Sequence, residues 1–134
     1  MAEITLEARI ESLNQVLGFV DEQLELMGCG MKTQIQIDVA VEEMYVNVAS
    51  YAYGDSVGMV TIRMEESAPG TVSITLIDGG VPYNPLEKPD PDVTLPADQR
   101  GIGGLGIFMV KKSMDDMLYE YRDGKNILTL VKKL

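Results

Sequence analysis

Apolar residues recur along this chain with two different periods, and each change of period marks a change of element. Ile4-Thr5-Leu6-Glu7-Ala8-Arg9 alternates and reads as a short edge strand. From Ile10 the spacing becomes three and four: Ile10, Leu13, Leu17, Val20, Leu24 and Met27 fall on one face of an amphipathic helix. Gly28-Cys29-Gly30 ends that helix. A second helical pattern spans about Lys32 to Tyr53, with Ile37, Val41, Met44, Tyr45, Val48 and Ala52 on its apolar side. Glu43 and Asn47 sit one turn apart on a face of their own, clear of the centre of that stripe.

Alternation returns over Met59 to Glu66 and Thr71 to Ile77, where Val60, Ile62, Met64, Val72, Ile74 and Leu76 share one side. With Ser67-Ala68-Pro69-Gly70 between them, these segments predict an antiparallel hairpin buried on one face. Residues 78–100 follow neither period and carry five of the six prolines, at 82, 85, 89, 91 and 96. A stretch of that length is most often a functional lid or a disordered segment. It runs into Gly101-Ile102-Gly103-Gly104-Leu105-Gly106 and a short helix over about Gly104 to Ser113. Two β-rich runs, Met117–Arg122 and Lys125–Val131, close the chain around Asp123-Gly124, a strong hairpin signal. The order β-α-α-β-β-loop-α-β-β predicts an α+β fold with a largely antiparallel sheet and helices on one face.

Composition removes whole classes of function. The 134 residues suit a single domain over 1–134. A net charge of -10 works against nucleic acid and anionic membrane as partners. With no histidine, every His-based triad, metal site and phosphohistidine is excluded, and the single Cys29 cannot form an internal disulfide. No stretch approaches the ~20 apolar residues of a membrane span, and the first residues lack a basic-then-apolar signal pattern, so the expected location is cytoplasmic.

Three clusters can carry chemistry. Gly101, Gly103 and Gly106 match G-x-G-x-x-G, but Leu95-Pro96-Ala97-Asp98-Gln99-Arg100 is no central strand, so the dinucleotide reading fails. What remains is a glycine-rich backbone opening onto a helix N-terminus, which favours anions. Asp78, at the end of an apolar strand and followed by Gly79-Gly80, suits either a plain turn or an acceptor for a ligand amine. Glu43 and Asn47 suit either a solvated face or a general base beside a ligand for a hard cation.

Together, a helix with Glu-x-x-x-Asn, a strand ending Asp-x-Gly-x-Pro, a long loop and a glycine-rich helix entry resemble the GHKL superfamily of ATP-binding domains. The fold this implies is the Bergerat two-layer α/β sandwich, with a largely antiparallel mixed sheet. Gly103-Gly104-Leu105-Gly106-Ile107, Met114-Asp115-Asp116 and Leu128-Thr129-Leu130-Val131 look most like the anti-sigma factor serine-protein kinases of the RsbW type.

The resemblance implies Glu43 as the base, Asn47 as a magnesium ligand, and Asp78 as acceptor for the adenine amine, with Gly80 allowing close approach of the ring. It implies Gly103, Gly104, Leu105 and Gly106 along the triphosphate, Arg100 reaching the phosphates, Thr129 supporting the adenine end, and residues 83–103 as an ATP lid. The implied cofactors are ATP or ADP with Mg2+, which also offsets the repulsion between ATP and an acidic protein. The implied partners are a STAS-domain antagonist phosphorylated on Ser or Thr and a sigma factor, with a homodimer formed through the N-terminal strand. A nucleotide-dependent binding switch that transfers no phosphate is the competing expectation. The chain departs from the family at Tyr51-Ala52-Tyr53, where relatives often carry a His.

Overall fold

The computed structural model describes residues 1–87 and 104–134. Five strands, β1 (Ala2–Glu7), β2 (Met59–Ala68), β3 (Thr71–Asp78), β4 (Asp116–Arg122) and β5 (Lys125–Lys133), form one sheet in the order β1-β2-β3-β5-β4. Every pairing is antiparallel, so the mixed sheet expected from the resemblance is here uniformly antiparallel. The β4–β5 hairpin turns on Asp123 and Gly124, both at positive φ (55° and 76°), the signature of the two-residue turn that the sequence predicts.

Helices α1 (Leu13–Leu26), α2 (Met31–Asn47) and α3 (Gly104–Ser113) cover one face of the sheet. The core lies between the layers. Val60, Ile62, Met64, Val72, Ile74 and Leu130 from the sheet are fully buried against Val16, Val20, Leu24, Ile37 and Val41 of the helices. On α1 the inward residues are Val16, Val20 and Leu24, while Ile10 is exposed, so the stripe is rotated slightly from the one periodicity predicts. Tyr45 of α2, also fully buried, donates its hydroxyl to the Arg9 carbonyl (2.7 Å) and accepts from the Arg9 N–H (3.2 Å). That pair anchors the β1–α1 connection to α2, and burial pushes the phenol pKa up.

The second helix does not run uniformly to Tyr53. After Asn47 it widens into a π turn over Val48–Ala52. Such turns displace the helix backbone and are frequent at functional sites. At the other end of the sheet, Lys132 donates to the Ser113 carbonyl (2.6 Å) at the end of α3, and Asp115 accepts from the Lys133 N–H (2.6 Å). The Asp115 side chain therefore fastens the α3–β4 connection to β5. No helix among the described residues is long and apolar enough to cross a membrane.

Candidate functional site

Where the π turn passes over the ends of β3 and β5, the layers separate around a cavity of ≈ 160 Å³. Its walls include Met44, Leu76 and Leu128, and its polar groups include Asn47, Asp78 and Asn126. A space of this size accepts one aromatic ring system.

Asp78 is the last residue of β3 and is only 6% exposed. Alternation along β3 turns it inward with Leu76 and Ile74. Its Oδ1 accepts from the Gly80 N–H (2.9 Å) and from Asn126 Nδ2 (3.0 Å). Its Oδ2 has no hydrogen-bond partner among the described residues. A buried carboxylate with one oxygen held and one open is a fixed acceptor for a ligand donor.

The segment after Asp78 is clamped to the π turn. Val81 N–H donates to the Ala52 carbonyl (2.8 Å), and Gly79 N–H donates to the Tyr53 hydroxyl (2.7 Å), which itself donates to the Met59 carbonyl (2.6 Å). A Cβ at Gly80 would overlap the Ala52 carbonyl. The resemblance assigns Gly80 to close approach of adenine; the group that approaches it in the fold is the π-turn backbone. Tyr51, in the same turn, lines the cavity.

Asn47 lines the cavity from the end of α2, and its Nδ2 is buried without a hydrogen-bond partner among the described residues. An orphaned amide of this kind costs about 1–3 kcal/mol unless a ligand or water meets it. One turn earlier, the Glu43 carboxyl lies against Gly106 in the first turn of α3, where a Cβ would overlap it. The helix dipole favours a carboxylate there. Glu43 thus meets the α3 entry one helical turn from Asn47, and of these groups Asn47 lines the cavity together with Asp78.

Gly104 and Leu105 belong to the first turn of α3, while Arg100, Gly103 and most of the expected lid lie outside the described residues. At the root of that lid, Tyr83 N–H donates to Asn126 Oδ1 (3.1 Å), and Pro85–Glu87 forms a short 3-10 turn. Thr129 does not join the site. Asn126, Leu128 and Leu130 face the helices, so Thr129 points to the opposite side of the sheet, where its hydroxyl meets that of Thr75 (3.3 Å). Asn126 is the residue sequence reasoning missed. Its signal was a polar side chain at an inward position of an alternating strand.

Comparison with known proteins agrees with this geometry. The family model for the histidine kinase-like ATPase domain matches residues 6–132. Two serine-protein kinases named RsbW are similar in sequence. The one from Bacillus mycoides (strain KBAB4) is 26% identical over 106 residues, covering 76% of this chain and 66% of that protein. The one from Bacillus cereus (strain ATCC 10987 / NRS 248) is 28% identical over 94 residues, covering 67% and 58%. The matches thus span less than two thirds of either relative's length.

Among solved structures, the RsbU and RsbW domains of Rv1364c from Mycobacterium tuberculosis superpose with a TM-score of 0.65 at 16% identity, over all of this chain and 33% of that one. The histidine kinase domain of the blue-light activated histidine kinase from Erythrobacter litoralis EL346 superposes with a TM-score of 0.56 at 18% identity, over 91% and 61%. Through the match over residues 6–132 and the shared α+β fold, this chain belongs to the histidine kinase-like ATPase domain family.

Proposed function

We propose that this protein is an ATP-dependent regulatory kinase of the RsbW kind, which phosphorylates a Ser or Thr on a STAS-domain antagonist and holds a sigma factor in alternation with it. The observation that carries the reading is the open Oδ2 of Asp78 in a ring-sized cavity, with Oδ1 already held by two donors. Such an acceptor suits the exocyclic amine of adenine.

In this reading the phosphates extend toward Asn47 and the α3 entry, where Gly103, Gly104, Leu105 and Gly106 supply backbone donors and Arg100 a cation. Among the described residues no cluster of three acidic or thiol side chains forms a metal cage. Mg2+ usually keeps several of its waters and takes one or two protein ligands plus substrate phosphates. Asn47 would hold the ion through its side-chain oxygen, leaving the unpartnered Nδ2 to donate to a phosphate oxygen, and the ion would neutralise phosphate charge. Glu43 accepts the proton of the attacking hydroxyl as the oxygen bonds to the γ-phosphorus and ADP leaves. Residues 83–103 would serve as the lid over the nucleotide, and the outer edge of β1, which pairs with no strand among the described residues, offers a route to a homodimer.

The test is Glu43→Gln with purified partner and radiolabelled ATP. Nucleotide binding is expected to persist while transfer to the partner falls by about 100-fold or more. Full transfer activity in the variant would remove Glu43 from the mechanism. A wild type that binds nucleotide and partner yet never transfers phosphate would instead be a nucleotide-dependent switch.

A further inference from the structure

Asn126 is 6% exposed and stands directly opposite Asp78 in the β3–β5 register. All of its hydrogen-bonding groups are engaged. Oδ1 accepts from Tyr83 N–H (3.1 Å) and from the Tyr119 hydroxyl, while Nδ2 donates to the Val81 carbonyl (2.9 Å) and to Asp78 Oδ1 (3.0 Å). Two of these partners are backbone groups of fixed sense. An N–H must face oxygen and a carbonyl must face nitrogen, so the amide has only one orientation. What Asn126 turns toward Asp78 is therefore a donor.

The consequence lies in the shape of the acceptor. A carboxylate with both oxygens open receives two parallel N–H groups, the pattern that guanine presents through its N1–H and its 2-amino group. Adenine presents a single amine beside a ring nitrogen that itself accepts. Asp78 Oδ1 is already filled by Gly80 N–H and Asn126 Nδ2, so only Oδ2 remains to meet a base. We propose that Asn126 is the base-specificity residue of this site: by occupying Asp78 Oδ1 it restricts the carboxylate to one open oxygen, matching adenine and excluding the two-donor edge of guanine. This rests on the reading of the cavity as a nucleotide-base pocket.

Binding of Mg-ATP and Mg-GTP to wild type, Asn126→Ala and Asn126→Ser, each checked for folding by circular dichroism, tests it. Wild type is expected to prefer ATP by about 100-fold, two hydrogen-bond mismatches' worth. Asn126→Ala frees one of the two acceptor positions of Oδ1, the other staying with Gly80 N–H, and the ATP-to-GTP ratio should narrow by about tenfold or more, chiefly through tighter GTP binding. Asn126→Ser, smaller but still polar, reads the same ratio should the alanine variant not fold. Tyr119→Phe leaves the Nδ2 contacts in place and is expected to keep the wild-type ratio, which separates donor loss from general loosening of the pocket. A wild type that binds GTP as tightly as ATP overturns the proposal. So does a folded Asn126 variant with an unchanged ratio, and in that case ATP binding itself still stands. A wild type that binds neither nucleotide overturns the pocket reading as well.

Discussion

Two pairs of facing polar side chains join elements in this molecule, and they are built in opposite ways. Asp78 on β3 faces Asn126 on β5, and acceptor meets donor. Asp21 on α1 faces Asp38 on α2, and acceptor meets acceptor: Oδ1 of each is buried with no hydrogen-bond partner among the described residues. The first pair holds the Asp78 carboxyl in place and leaves one oxygen for a ligand. The second is satisfied only when a proton lies between the two groups. Burial first, then the Asp21 carboxyl, which shares a proton with a protonated Asp38 and repels a charged one, then the charge of Glu42, push the Asp38 carboxyl up to about 7. The two carboxylates thus differ in what faces them: Asn126 offers Asp78 an N–H, whereas Asp21 adds a second acceptor to the burial that already raises Asp38.

The pocket side of this comparison breaks most readily at Gly80. A methyl there must displace the Ala52 carbonyl, and with it the Gly80 N–H that holds Asp78 Oδ1. Gly80→Ala is expected to cost about 2 kcal/mol, read as a fall of roughly 8 °C in Tm, with weaker nucleotide binding in parallel. Tyr53→Phe is gentler. It removes the hydroxyl that links Gly79 N–H to the Met59 carbonyl, but water reaches both groups. The expected loss is about 1 kcal/mol, measured by urea unfolding.

The helix side sharpens with pH. The folded pKa of Asp38 lies above its unfolded value of 3.8, so the native state holds the extra proton between about pH 4 and 7. Stability from this pair therefore falls as pH rises through that window and levels off above it. Asp38 is partly exposed, and water screens the repulsion, so the effect is modest. Asp38→Asn supplies a permanent N–H donor in place of the proton. Its Tm at pH 8 should exceed that of wild type by about 3 °C, with the gap closing toward pH 5. Parallel melting curves for the two proteins across that range would refute the shared proton.

How much of this was legible in the sequence follows from the range of each signal. Strand alternation and the Asp123-Gly124 turn are local, and they placed the β2–β3 and β4–β5 hairpins before the structure did. The same alternation, carried one step further, puts Leu128 and Leu130 inward and therefore Thr129 outward. Its expected place at the adenine end came from resemblance, and the pleat overrules it. Asn126 becomes significant only through the β3–β5 register, a pairing between residues 48 positions apart. The Asp21–Asp38 pair lay hidden for a similar reason. Each flanks a buried residue, Val20 or Ile37, and single-helix periodicity does not say which flank of α1 meets which flank of α2. The π turn left no mark either, because Val48–Ala52 keeps an apolar pattern compatible with an ordinary helix.

The claim on which the account rests is that Asp78 offers Oδ2 to the base of ATP. Isothermal titration of Mg-ATP into wild type and Asp78→Asn addresses it directly, with circular dichroism confirming that both are folded. One site per chain is expected for wild type. Binding to the variant should be weaker by roughly 30-fold or more, because Gly80 N–H and Asn126 Nδ2 hold the amide oxygen at the Oδ1 position and leave the NH2, a donor, facing the base. Equal affinity in the two proteins, or no binding by folded wild type, would contradict it.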